Sequence, residues 1–168
     1  MKIVFIQAGG TIDKDYPRTQ KGYAFEIGEP AVKRILGKVH PSFDFEVISL
    51  LKKDSLDMTE KDREKILEAC QKTDADKIVI THGTDTMAET AKKLSRIKNK
   101  AIILTGAMKP EKFSDSDASF NVGVAVGAIN VLSSGVYIAM NGHILLWNKM
   151  KRDEQTGRFV ETLSIRSK

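Results

Sequence analysis

The sequence predicts an α/β domain: an open, mainly parallel sheet with helices on both faces, a three-layer Rossmann-like or flavodoxin-like arrangement in a single domain. Three observations carry this. Short β-branched apolar runs alternate with segments of helical period along most of the chain. The runs show little polar alternation, as strands covered on both faces do. Each run also ends in glycine or polar punctuation: Ala8-Gly9-Gly10, Lys53-Asp54-Ser55, His82-Gly83, Thr105-Gly106-Ala107 and Asn141-Gly142. Strand alternating with helix implies right-handed crossovers and a parallel sheet. In such sheets ligands bind outside the carboxyl ends of strands, where strand order reverses, so the punctuation residues are the expected pocket.

In chain order, Ile3 to Ile6 reads as the first strand, followed by a polar stretch, Asp13 to Gly28, with no clear period. That stretch is expected to be a mobile loop over the site. Glu29 to Leu36 carries Val32, Ile35 and Leu36 at helical spacing, and Phe45 to Leu51 is the next strand. Thr59 is the expected N-cap of a helix with Asp62 and Glu64 in its first turn and Ile66, Leu67 and Cys70 on its inner face. Strand Lys77 to Thr81, helix Thr86 to Leu94, strand Ala101 to Thr105, helix Ser119 to Leu132 and strand Val136 to Met140 follow. Asp115 and Asp117 are expected to cap the Ser119 helix. Lys92 to Lys100 is read as a solvated helix face, Trp147 as packed on the sheet edge or a partner subunit, and the charged segment from Lys149 as an extension from the domain. The domain is drawn as residues 1–160, with a charged tail over 161–168.

A chain of 168 residues suits one ordinary domain, and 41% hydrophobic content excludes wholesale disorder. The net charge of +5 comes from 27 Lys and Arg interspersed with acidic residues, without an arginine-rich arm, so nucleic-acid binding is not expected. The one cysteine, Cys70, rules out an internal disulfide framework and reads as a buried thiol. The N-terminus enters a strand without a basic-then-apolar leader, and no apolar stretch is long enough to span a bilayer. A cytoplasmic protein is expected.

Two phrases carry the chemistry: Gln7-Ala8-Gly9-Gly10-Thr11-Ile12 and Thr81-His82-Gly83-Thr84-Asp85-Thr86. Each follows a strand, and each presents a threonine just past glycine, which lets a ligand approach the main chain closely. The first lacks the G-x-G-x-x-G spacing, and no P-loop GK[ST] exists, so no nucleotide cofactor is expected. No His, Asp and Glu trio has ligand spacing, so no metal is expected. From the residues alone, Gly-Gly-Thr is either a tight turn with a helix cap or the presentation of a nucleophile needing a base or relay, which Tyr23 would supply if the loop folds back. His82 is read as a hydrogen-bonded structural histidine.

Together, Gly9-Gly10-Thr11-Ile12 and His82-Gly83-Thr84-Asp85-Thr86-Met87 resemble the paired threonine signatures of the bacterial-type L-asparaginases. Asp54-Ser55-Leu56-Asp57-Met58, Thr105-Gly106-Ala107-Met108-Lys109-Pro110, Ser114-Asp115 to Gly123 with Phe120-Asn121, and Val136 to Asn141 extend the likeness from residue 1 to about 160. The resemblance implies hydrolysis of asparagine or a related small amide, with Thr11 as the nucleophile and Tyr23 as the lid tyrosine, Tyr16 competing for that role. It implies Ser55 on the substrate α-carboxylate and Asp85 on its α-ammonium. Thr84 with a lysine becomes a second hydroxyl centre, with an oxyanion site near Thr84 and Ala107 and close substrate approach at Gly10 and Gly83.

Two departures accompany the likeness. The family's second, smaller domain is expected to be absent, and with it the acidic residue supporting the first threonine–tyrosine pair. The family's lysine falls on Arg152 without a gap and on Lys151 with one deletion, Lys149 being also close; Lys151 is chosen, because arginine cannot act as a deprotonated base. A homodimer acting on asparagine or aspartate-like small molecules, without nucleic acid or membrane partners, is the expectation. An amino-acid-binding module with degenerate catalysis is the alternative.

Overall fold

The structure, a computed structural model, describes residues 1–20 and 22–162. Of the tail expected over 161–168, residues 163–168 lie outside the described residues, while Glu161 ends a strand, paired with Met150. Strand β1 (Lys2–Gly9) is followed by α1 (Ala31–Val39), β2 (Asp44–Lys53), α2 (Glu60–Lys72), β3 (Lys77–Thr81), α3 (Met87–Leu94), β4 (Ala101–Thr105), α4 (Ala118–Ile129) and β5 (Gly135–Met140). The chain then adds β6 (His143–Leu146), β7 (Met150–Arg152) and β8 (Phe159–Glu161).

The main sheet runs β6-β5-β4-β3-β1-β2. Its first five strands in chain order are parallel, in the flavodoxin-like order 2-1-3-4-5, and β6 turns back antiparallel on β5, pairing His143 with Met140. Strand order therefore reverses between β1 and β3, whose register sets Val4 beside Ile78 and Gln7 beside Thr81. The chain leaves the sheet at Gly9 and at Thr81 from adjacent positions on the same edge.

Alternation along β1 divides the core. Val4, Ile6 and Ala8 face Ile66, Leu67 and Cys70 of α2 and Leu94 of α3. Ile3 and Phe5 face Val32, Ile35 and Leu36 of α1 and Val122 and Ile129 of α4. Two helices thus cover each face. Thr59 caps α2 as expected: its hydroxyl accepts from the Asp62 N–H at 3.3 Å, while the Asp62 carboxylate accepts from the Thr59 N–H at 3.0 Å.

Several expectations are corrected. β2 is an edge strand, not covered on both faces, and Phe45 stays exposed. The Asp13 to Gly28 stretch is a hairpin: Lys14–Asp15 pairs antiparallel with Glu26–Ile27, and Arg18–Thr19 with Gly22–Tyr23. The segment from Lys149 does not extend away, because β7 and β8 pair and bury Met150 and Phe159 in the core beside the half-buried Trp147. Lys100 is not on a solvated face; it is buried and donates to the Thr73 and Ala75 carbonyls. Asp117 stands at the N-cap position of α4 without capping it. Its carboxylate accepts instead from the Met108 and Lys109 N–H groups at 3.0 and 3.1 Å, and Asp115 pairs with Lys109.

Candidate active site

Three loops meet at the reversal point through their main chains. Gly10 has a φ of +88°, and a Cβ there would lie 2.3 Å from the Gly83 nitrogen. A Cβ on Gly83 would lie 2.6 Å from the Ser55 hydroxyl oxygen. Neither position has room for a side chain, so the turns after β1, β2 and β3 stack backbone on backbone. Gly10 N–H also donates to the Lys53 carbonyl at 2.9 Å, tying the first turn to the end of β2.

Thr11, Ser55 and Thr84 follow from this stack. Thr11 opens a single 3-10 turn, Thr11–Asp13, directly after Gly10, and it is half-buried. Thr84 follows Gly83 and is also half-buried. Neither threonine hydroxyl has a hydrogen-bond partner among the described residues. Ser55 is fully buried; its hydroxyl accepts from the Asp85 N–H at 3.3 Å and lies 3.5 Å from the Asp85 carboxylate. Thr86 completes the clasp by donating to the Ser55 carbonyl at 2.8 Å. Ala107 is buried at the end of β4 against the second helix layer.

The expected lysine is not what reaches the site. Lys151 is exposed, and its side chain makes no hydrogen bond or ion pair among the described residues. Its neighbour Arg152, one residue on along β7 and so on the opposite side of the strand, pairs with the Asp85 carboxylate. Lys149 is exposed as well. Tyr23 is 64% exposed at the hairpin, stacked on Tyr16 with ring centroids 5.7 Å apart, and Phe25 and Phe113 extend this aromatic row. The structure brings together Thr11, Ser55, Thr84 and Asp85. It brings neither Lys151 nor Tyr23 to them.

Buried polar groups hold the loops, and most were not singled out from the sequence. Asp13 is buried and accepts from the Ala31 N–H at 2.7 Å and the Thr81 hydroxyl at 3.3 Å. Its carbonyl takes the Gly28 N–H at 2.9 Å, so one residue anchors the base of the hairpin and the start of α1. Gln7 donates to the Gly28 carbonyl and accepts from Ser49. Asn121 donates to the Gly106 carbonyl at 3.0 Å and accepts from the Asn141 N–H at 3.1 Å, joining the ends of β4 and β5. Lys14 pairs with Asp54 at 2.6 Å and holds its carboxyl below the usual range. His82 is fully buried, with Nδ1 2.7 Å from the Gly83 carbonyl and Nε2 2.8 Å from the Thr90 hydroxyl. Those partners fix the neutral tautomer with the proton on Nδ1, and the role is structural. Burial pushes the Cys70 thiol up to about 12, so it is no nucleophile at neutral pH.

The likeness to known proteins follows this geometry. The family described as "Asparaginase, N-terminal" matches residues 2–158. The chain belongs to the asparaginase family. An L-asparaginase of Thermococcus kodakarensis is 31% identical over 94% of this chain and 49% of its own length. A probable periplasmic L-asparaginase of Haemophilus influenzae is 33% identical over 85% of this chain and 44% of its own. The solved structure of the Thermococcus enzyme superposes with a TM-score of 0.83 at 28% identity, over 96% of this chain and 51% of that one. A probable cytoplasmic L-asparaginase of Campylobacter jejuni gives 0.75 at 25% identity, over 95% and 52%. This asparaginase-family chain spans about half the length of the relatives it matches.

The two buried titrating groups at the site oppose one another. Burial pushes the Asp13 carboxyl up from 3.8 to about 6, so between those values the folded chain holds the extra proton and stability falls as pH rises. Burial pushes His82 down from 6.5 to about 4, so its contribution is lost as pH falls through that window. Asp13→Asn removes the first titration and leaves the second. Denaturant unfolding at about pH 4.5, 6 and 7.5 is expected to show the variant gaining on wild type with rising pH, by roughly 1–3 kcal/mol at the top. A difference independent of pH contradicts this account of Asp13.

Proposed function

We propose that this chain is an asparaginase-like amidohydrolase that cleaves the terminal amide of L-asparagine or a related small amide to a carboxylate and ammonia. The observation that supports it is the Gly10–Gly83–Ser55 stack, which sets the turns bearing Thr11, Thr84 and Asp85 against one another. In this reading the Thr11 oxygen attacks the amide carbon, the C–N bond breaks, and the leaving nitrogen takes up the hydroxyl proton and departs as ammonia. Water then cleaves the resulting ester, releasing the acid and restoring the hydroxyl. Ser55 and the N–H groups of the stacked turns receive the substrate carboxylate. The main-chain donors near Thr84 and Ala107 are preorganised toward the developing oxyanion.

The activating groups are proposed to arrive by hairpin movement, with Tyr23, or its stacking partner Tyr16, swinging in over Thr11. Arg152, in place of the expected lysine, contributes charge and no base. Arg152 also favours a second reading, binding of a small carboxylate with little turnover. The assay is ammonia release from a panel of asparagine, glutamine and succinamate. Thr11→Ala is expected to lower kcat/KM by at least about 1,000-fold and Thr84→Ala by about 100-fold. Absence of ammonia from every amide, with folded protein, leaves the binding reading; turnover unchanged in both variants refutes the proposed roles.

A cytoplasmic setting is proposed with it, in line with the probable cytoplasmic L-asparaginase of Campylobacter jejuni. The assembly is proposed as a homodimer. Phe25 and Phe113, both exposed and in contact with one another, are apolar surface of the kind that interfaces cover. Light scattering is expected to give twice the 18.7 kDa chain mass, and a monomer contradicts it.

A further inference from the structure

α4 differs from the other three helices in what it shows to the outside. α1, α2 and α3 each expose charge there, at Lys33 and Lys38, at Lys61 and Lys65, and at Glu89 and Lys92. From Ala118 to Leu132 there is no charged residue, in a chain that is 29% charged. The inner side of α4 is an ordinary core face. Val122, Ala125 and Ile129 are buried against the sheet, and the Lys77 ammonium holds the helix end by donating to the Ile129 and Asn130 carbonyls at 2.7 and 3.0 Å. The outer side is apolar as well. Phe120 is 60% exposed, Val124 is half-buried on the same stripe, and Val131, just past the last turn, is 85% exposed. A helix that is apolar on every side is one that is covered on every side.

Two glycines complete that outer face. Gly123 and Gly127 are exposed and one helical turn apart. Neither has a positive φ, and a Cβ at either would meet nothing within 4 Å among the described residues. Nothing in the described chain therefore calls for glycine, although glycine inside a helix destabilises it relative to alanine. Gly10 and Gly83 are the opposite case, since neighbouring main chain excludes a side chain there. Close approach by something outside the chain accounts for Gly123 and Gly127. The occupant that fits is a second copy of the same face. A surface that meets itself about a twofold axis brings each charge near its own like, and this one carries none between Ala118 and Leu132. It also holds both halves of a fit, with Phe120 and Val124 projecting beside the groove that Gly123 and Gly127 leave. The apolar surface continues past the helix: Ile144 pairs with Ala139, on the sheet face that α4 covers, and stays 38% exposed. We propose that α4 is the contact between two copies of this chain, the Gly123–Gly127 groove of each receiving Phe120 and Val124 of the other. This rests on the homodimer reading above and names the helix at its centre.

Analytical ultracentrifugation of the whole chain tests it. Wild type is expected to sediment as a dimer at about 10 μM. Gly127→Glu sets like charges against one another across the twofold axis, and is expected to raise the dimer dissociation constant at least about 100-fold. The double variant Gly123→Ala, Gly127→Ala is expected to raise it about tenfold. Alanine has room in the single chain and strengthens the helix, so a loss of α4 cannot explain that weakening. Wild type that stays monomeric at about 100 μM overturns the inference and the homodimer reading together, and leaves the amidohydrolase reading standing. A dimer as tight in either variant as in wild type overturns the α4 contact alone.

Discussion

A main-chain contact between two glycines, too tight to admit a side chain, underlies the candidate site. β1 and β3 are neighbours only because the sheet reverses its order between them, and their carboxyl ends leave the sheet side by side. Gly10 then lies where any Cβ would strike Gly83, and Gly83 where any Cβ would strike Ser55. A side chain at either position would push apart the turns that carry the two threonines. The cost of using glycine, which loses more backbone freedom on folding than other residues, is accepted at the point where approach matters most.

Such turns carry main-chain polar groups that cannot all reach water, so buried side chains satisfy them. Asp13 serves the start of α1 and the hairpin, Asn121 the ends of β4 and β5, and His82 bridges the Gly83 carbonyl and Thr90. Buried groups of this kind stabilise only while fully partnered. Their placement around the reversal point means that the same residues that fix the fold also fix the spacing of the turns that carry Thr11 and Thr84. Asp13 and His82 titrate in opposite senses across the same mildly acid range, which makes the loops less sensitive to pH than either group alone would leave them.

The sheet was legible because its signal is physical and local. Uninterrupted Ile and Val runs such as Lys77–Thr81 have few alternatives to a covered strand, and glycine after each run marks where the chain must turn sharply. β2 misled because an apolar run does not reveal that it lies at an edge. The hairpin from Lys14 to Ile27 and the β7–β8 pair were missed because each ladder is two or three residues long and held by tertiary anchors, Asp13 and Lys14 in one case and Met150 and Phe159 in the other. The threonine turns were readable from their glycines. The partner of Asp85 was not, since whether residue 151 or 152 faces the site depends on strand parity, which spacing in a loop-rich stretch does not define.

A single constraint therefore joins the fold to the candidate site: close glycine contact holds the turns bearing Thr11 and Thr84 against one another. Gly83→Ala addresses that constraint directly. With native-like circular dichroism retained, its kcat/KM for ω-amide hydrolysis is expected to fall by at least about 100-fold, because the added methyl must displace Ser55 or the turn carrying Thr84. A Gly83→Ala protein with wild-type kcat/KM would contradict the account.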